Sequence, residues 1–207
     1  LGNYVRQFSD RLGAQGYTGE VLYMSSAGGM CSEETSVEAP IRIVGSGVAG
    51  GASATAALSQ VIQAHQVINF EMGGTSTDVC LVKDHKPTIS TGKVIIAFPI
   101  IVPEVDVTSI GAGGGSITWI DPDGSLKVGP QSAGAQPGPA CYGRGGTAFT
   151  VTDANLLLGR IGPDSLVGGA MRLQPELATN AATYLLKQTN LADICQLAEG
   201  VLEIATT

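Results

Sequence analysis

Val67 to Val82 reads VINFEMGGTSTDVCLV. The apolar run Val67–Phe70, read as a buried strand, leads to Glu71, the glycine pair Gly73-Gly74, the hydroxyls of Thr75, Ser76 and Thr77, and a second acid, Asp78. Another apolar run, Val79–Val82, begins at once. Two strand-like runs separated by so short a glycine turn predict a hairpin. The turn's chemistry suits a polyphosphate. Adjacent glycines let the backbone bring exposed N–H groups close to an anion, and the Thr and Ser hydroxyls add donors. Glu71 and Asp78 then stand at the two strand ends, where a pair of carboxylates serves Mg²⁺, often through water. A β-turn with polar decoration accounts for the same residues without a ligand.

Working outward, three further blocks stand out: SIGAGGGSITWID (Ser109–Asp121), VGPQSAGAQPGPACYGRGGT (Val128–Thr147) and TVTDANLLLGRIGP (Thr150–Pro163). Together with EMGGTSTDV, and in this order, they resemble the hydantoinase/oxoprolinase A-subunit family, whose second phosphate loop usually reads DMGGTSTD. The similarity runs over nearly the whole chain. It implies an α/β fold of the actin-like ATPase type (ribonuclease H-like, as in sugar kinases and heat-shock ATPases), with a mixed sheet and flanking helices, present only in part. It also implies ATP and Mg²⁺ as cofactors, a small cyclic amide such as hydantoin or 5-oxoproline as substrate, a B-type partner subunit or domain, and a cytoplasmic location. A homo-oligomer is left open.

On this resemblance Glu71 and Asp78 are the catalytic and metal-binding acids. Gly73, Gly74, Thr75, Ser76 and Thr77 bind phosphate, and Gly113, Gly114, Gly115 and Ser116 offer a second anion-binding nest, or a glycine hairpin that only lets backbones pack closely. Three positions depart from the family pattern. Glu71 replaces the usual aspartate, Val48 stands where SGPAGG has proline, and Thr108 replaces the histidine of DIHTVG. The family's first phosphate loop and its later GGAGPLHA-type adenosine loop do not occur in these residues. The chain therefore reads as the central part of the A subunit, with a sub-boundary near residues 65–70 and weak ATP binding on its own. An acetone-carboxylase-type ATP-dependent subunit, or a non-catalytic module, is the alternative.

At 207 residues the chain can bury a sizeable core. It starts at Leu1 without Met and stops inside an apolar helical pattern, as a piece of a longer protein would. A net charge of −7 with no basic run argues against nucleic acid and anionic membrane surfaces. No apolar stretch reaches the roughly 18–20 residues that span a bilayer, and the longest, Val94–Val102, is broken by Pro99. Cys31, Cys80, Cys141 and Cys195 are widely spaced without a CxxC pair, which favours reduced thiols over a zinc site or disulfide framework. Glycine, at 29 residues, is about twice its usual share and clusters in loops.

Taken in order, Tyr4, Val5, Phe8 and Leu12 mark an amphipathic helix ended by Gly13 and Gly16. Val21–Met24 reads as a strand, Ser32 as the cap of a helix beginning with Glu33 and Glu34, and Ile41–Val44 as a second strand. Gly45, Gly47 and Gly50 match GxGxxG ahead of an Ala/Ser-rich helix, Ala49–His65, and Glu71 closes the next apolar run. That outline matches a dinucleotide-binding fingerprint, although such a fold would not place GGTSTD and another strand directly after the acid. Val94–Ile101 and Val105–Val107 are strand-like, and Asp121–Gly124 is a hairpin turn. Gln131–Thr147 is an irregular loop with Arg144 its one cation. Thr152 and Asp153 cap a helix over 154–160, and further helices cover Gln174–Lys187 and Leu191–Ala205. His65 and His85 suggest no nucleophile–base pair and read as surface residues.

Overall fold

The computed structural model describes residues 1–95 and 97–207, and the chain divides into two compact units. The first comprises Leu1–Glu71 and Asp78–Thr108, the second Met72–Thr77 and Ser109–Thr207.

In the first unit, α1 (Gly2–Ala14) carries the fully buried Val5. Strands β1 (Leu22–Met24) and β2 (Met30–Ser32) pair antiparallel. The Ser32 side chain accepts from the Thr35 amide and opens α2 (Glu33–Glu38), with Glu33 and Glu34 in the first turn, where the helix dipole favours negative charge. The expected strand at Ile41–Val44 is instead a 3₁₀ turn, Pro40–Ile43. Pro40 presets its φ and lacks an amide hydrogen, and the Arg42 amide closes the turn on Ala39 at 3.0 Å. α3 (Ser46–Val61) stops one turn short of His65, because Gln63 takes a positive φ of 54°. Ala49 and Ala52 of α3 pack with Cys80 and Val105 to form this unit's core.

β3 (Gln66–Met72) and β4 (Thr77–Lys83) are neighbours in a sheet whose order runs from β3 through β4 to the strand Val107–Ile110, with β5 (Lys86–Pro87) also paired to β4. Four residues connect β3 to β4, too few for the crossover a parallel pair requires, so the two form the expected hairpin. β3 is not the buried strand its composition suggested. It lies at the sheet edge, and its alternation leaves Ile68 and Phe70 about two-thirds exposed, at 64% and 66%. β6 (Ile89–Ser90) pairs with β9 (Glu104–Val105), and β7 (Lys93–Ile95) pairs with β8 (Phe98–Ile100). The strand read over Val94–Ile101 is thus a hairpin, with Ile96 outside the described residues. β10 (Val107–Ile110) completes the series.

The second unit is built on the hairpin of β11 (Ser116–Ile120) and β12 (Leu126–Ser132). Its turn is held by Asp121, whose Oδ1 accepts from the amides of Asp123 (3.0 Å) and Ser125 (2.8 Å). Against the hairpin pack α4 (Val151–Leu157), α5 (Pro175–Leu186) and α6 (Ile194–Ala205), burying Phe149, Val151, Ala182, Leu197 and Val201 among others. α4 begins earlier than the sequence suggested. Thr150 is its cap, and Thr150 and Asp153 form a reciprocal capping box, which satisfies two otherwise orphaned amides. Asp193 caps α6 by accepting from the Gln196 amide at 2.8 Å. Within the described residues no helix is long and apolar enough to cross a membrane.

Candidate functional site

The glycine turn, residues 73–76, closes on itself through the Gly73 amide and the Ser76 carbonyl at 2.8 Å. A second glycine loop, residues 111–115, lies against it in the same unit. Gly114 donates its amide to the Gly73 carbonyl (2.9 Å), Gly115 donates to Gly74 (2.6 Å), and Thr77 Oγ1 donates to the Ala112 carbonyl (2.6 Å). Ser132 Oγ adds a 3.3 Å bond to the Gly74 carbonyl. The first turn of α4 supports the second loop in its turn, since the Thr152 amide and hydroxyl both donate to the Gly114 carbonyl, at 2.7 and 2.8 Å.

This packing engages part of the hairpin turn's backbone. The carbonyls of Gly73 and Gly74 are satisfied, whereas the amides of Gly74, Thr75 and Ser76 and the hydroxyls of Thr75 and Ser76 have no partner among the described residues. Gly74 and Thr75 are exposed and Ser76 is half-buried. Successive unpaired amides of this kind make a concavity for an anion.

The second loop behaves differently. Gly113 donates to Ser116 Oγ at 2.9 Å and Ser116 returns its amide to the Gly113 carbonyl at 3.0 Å. With Gly114 and Gly115 bonded as above, all four amides of Gly113, Gly114, Gly115 and Ser116 are taken up inside the protein. Their glycines serve close packing. A Cβ at Gly113 would lie 2.8 Å from backbone atoms of Gly74 and Thr75, and one at Gly115 would lie 2.8 Å from the Gly74 carbonyl oxygen. Gly74 itself faces open space, with nothing within 4 Å of a built Cβ, and neither Gly73 nor Gly74 needs a positive φ.

Glu71 is an exposed residue near the end of β3, and Asp78 is half-buried near the start of β4. Gly51 of α3 leaves room for the Glu71 carboxylate: a Cβ there would approach Glu71 Oε2 to 2.9 Å. The described residues contain no group of three or more His, Cys, Asp or Glu placed to hold a metal ion.

Several sequence readings change here. His85, read from the sequence as a surface residue, is half-buried, and its Nδ1 lies 2.9 Å from Ser59 Oγ. Ser59 is fully buried and its hydroxyl donates to the Ala56 carbonyl at 2.7 Å, so it is a packed helix residue without access to substrate. The dinucleotide reading fails as well. A 3₁₀ turn, not a strand, precedes Gly45, and β3 runs into a hairpin rather than a crossover, whereas that fingerprint requires a βαβ unit. Arg144 is engaged with Met171 Sδ at 3.8 Å.

Ser132, which braces the two loops, escaped the sequence reading, and Thr152 was read only as a helix cap. The Thr150–Asp153 spacing could have located Thr152 in the first turn of α4; nothing in the sequence marks Ser132. Asp153, fully buried, accepts from the Thr150 amide (2.9 Å) and hydroxyl (2.7 Å) and from the amides of Ala140 (3.3 Å) and Cys141 (2.8 Å), fastening the Pro/Gly-rich loop to α4. Burial and the nearby Asp153 carboxylate push the Cys141 thiol well above the usual range, which marks it as inert.

The chain superposes on nucleotide-free acetone carboxylase with a TM-score of 0.84 at 28% identity, covering 97% of this chain and 28% of that one. On the ATP-dependent caprolactamase of Pseudomonas jessenii it gives 0.76 at 33% identity, covering 99% and 30%. The fold is accordingly α/β, part of an actin-like ATPase arrangement with flanking helices, and in place of the expected mixed sheet the strand pairs of described direction are antiparallel. The family model described as hydantoinase/oxoprolinase matches residues 1–207. Caprolactamase subunit alpha of P. jessenii is 36% identical over 99% of the chain and 29% of the relative. An uncharacterised protein of Methanocaldococcus jannaschii is 36% identical over 100% of the chain and 32% of its own length. The chain belongs to the hydantoinase/oxoprolinase family, and it spans about a third of the length of these two relatives.

Proposed function

We propose that this chain supplies the second phosphate-binding loop, Gly73–Thr77, of an ATP-dependent enzyme that opens a cyclic amide. One observation supports the reading: three consecutive amides and two hydroxyls of the turn have no partner among the described residues, while the carbonyls of Gly73 and Gly74 are bonded to the second loop and to Ser132. Such a turn is preorganised. Its donors lose little freedom when an anion arrives, which is where phosphoryl-transfer sites obtain much of their stabilisation.

Bound ATP·Mg²⁺ would supply a phosphoryl group to activate the amide carbonyl toward water. Two carboxylates suit Mg²⁺, which keeps several waters and is commonly held by one or two acids together with phosphate oxygens. Glu71 and Asp78 are the candidates. Gly113, Gly114, Gly115 and Ser116 act behind the loop, as the brace that fixes its shape. A partner subunit is supported by the naming of the caprolactamase relative as a subunit alpha. A carboxylase subunit is the second reading, favoured by the likeness to acetone carboxylase.

The test uses the complete subunit with its partner. ATP hydrolysis stimulated by a lactam or hydantoin supports the amide reading, and stimulation only by a ketone with bicarbonate supports the carboxylase. Replacing Asp78 with Asn should lower ATP-coupled turnover about a hundredfold, or roughly 2.7 kcal/mol of transition-state stabilisation, with folding retained. An unchanged rate and Mg²⁺ dependence would reduce Asp78 to a turn residue.

A further inference from the structure

Side chains two residues apart on a strand share a face. On β3, Asn69 and Glu71 therefore lie on one face, and Ile68 and Phe70 on the other. α3 meets the Asn69 face through Gly51 and Thr55, which stand about one helical turn apart. The Thr55 hydroxyl donates to Asn69 Oδ1 at 2.9 Å. That bond fixes the carboxamide and leaves Nδ2 shut in, with no hydrogen-bond partner among the described residues. An enclosed amide donor without an acceptor is costly.

An acceptor stands close to it. A Cβ built on Gly51 would lie 2.9 Å from Glu71 Oε2 and 3.3 Å from Asn69 Nδ2, so the carboxylate oxygen and the amide nitrogen border one small space over Gly51. Gly51 has no backbone reason to be glycine. It sits inside α3 without a positive φ, where alanine is the better helix former. Its missing side chain is what leaves that space open.

We infer that Asn69 is a positioning residue for Glu71: its Nδ2 donates to the Glu71 carboxylate across the space that Gly51 leaves, and the other carboxylate oxygen is kept for Mg²⁺. The inference rests on the reading of Glu71 as a metal-binding acid. Glu71 is exposed, and a long side chain at the surface turns freely among its rotamers. A charge-assisted bond to Asn69 is a way to hold it in one of them. Hydrogen bonds to a ligating carboxylate orient it, and losing such a partner commonly costs about 10–100-fold in metal affinity.

The first readout needs no nucleotide. In the ¹⁵N-labelled chain, the Asn69 side-chain NH₂ signals are identified by their loss in Asn69→Leu. They should exchange with water about fivefold more slowly in the parent than in Glu71→Ala, the scale of one net hydrogen bond. Glu71→Gln, which keeps an acceptor, should restore most of that protection. The second readout uses the complete subunit with its partner. Asn69→Leu and Gly51→Ala should each raise the half-saturating Mg²⁺ for ATP hydrolysis about tenfold, with a smaller change in maximal turnover. Gly51→Ala should also melt at or above the parent temperature, because it improves the helix, so its effect cannot come from unfolding.

Equal exchange in the parent and Glu71→Ala would overturn the pairing. An unchanged Mg²⁺ dependence in a stably folded Gly51→Ala protein would overturn the positioning role. If Asp78→Asn still lowers turnover in that case, the phosphate-loop reading survives the loss of this one. If Asp78→Asn is silent as well, the phosphate-loop reading has itself failed.

Discussion

Gly115 donates its amide to the carbonyl of Gly74 at 2.6 Å, and this bond ties together two glycine loops separated by some forty residues of chain. The glycines at its two ends have different reasons to be glycine. Gly115 and its neighbour Gly113 lie against backbone, where a Cβ would collide at 2.8 Å, whereas Gly74 faces open space. Gly113→Ala and Gly115→Ala should each destabilise the protein by about 2 kcal/mol, the usual scale for overpacking. Gly74→Ala should melt like the parent and lose affinity for phosphate. Thermal unfolding of the three variants, with a nucleotide titration of Gly74→Ala, checks the distinction.

Asp153 gathers four hydrogen bonds from Thr150, Ala140 and Cys141 while fully buried. Asp153→Ala would leave the Ala140 and Cys141 amides unsatisfied in the interior and remove the capping box. A loss of about 3 kcal/mol or more in urea unfolding is expected. The variant should also loosen the second glycine loop, because Thr152 in the same helical turn carries its Gly114 contact.

Much of this was legible in the sequence, and the misreadings share physical causes. The hairpin around residues 73–76 was readable because an acid–glycine–hydroxyl run between two apolar stretches has few other conformations available. The helix cap at Ser32 was likewise written locally. Ile41–Val44 was misread because β-branched composition cannot weigh Pro40, which starts a 3₁₀ turn. The apolar run in β3 suggested burial, yet strand position in the sheet is a long-range property that residues 67–70 do not encode. Long-range contact also decided the roles of Gly113–Ser116. Their glycines suggested an anion nest, and only the positions of Gly73 and Gly74 reveal where those amides point.

Asp121 gives a prediction with a definite sign. The Ser125 amide first, with Lys127 and the Asp123 amide, holds its carboxyl below the ordinary value of 3.8 despite opposing desolvation. A depressed folded-state pKa contributes stability that is present above 3.8 and lost as pH falls through the lowered folded value. The difference in melting temperature between the parent and Asp121→Asn should therefore be largest at neutral pH and shrink as pH falls through that acid range.

The four thiols should separate by burial. Cys195 is exposed, Cys31 is half-buried, and Cys80 and Cys141 are buried, with burial raising the pKa of both buried thiols. Iodoacetamide on the native protein should modify Cys195 first and Cys31 more slowly, sparing the other two until the protein unfolds. Mass spectrometry of the digest reads the order directly, and early labelling of Cys141 would contradict its place beneath the Asp153 network.

The phosphate reading rests on the amides of Gly74, Thr75 and Ser76, and amide chemical shifts report on those atoms individually. In ¹⁵N-labelled protein titrated with ATP·Mg²⁺ into the millimolar range, those three amides should move together and saturate. The amides of Gly113, Gly114, Gly115 and Ser116, already bonded within the protein, should move little. Shifts concentrated on Gly113–Ser116, or none at Gly74–Ser76 while nucleotide binds elsewhere, would contradict the assignment of the hairpin turn as the phosphate loop.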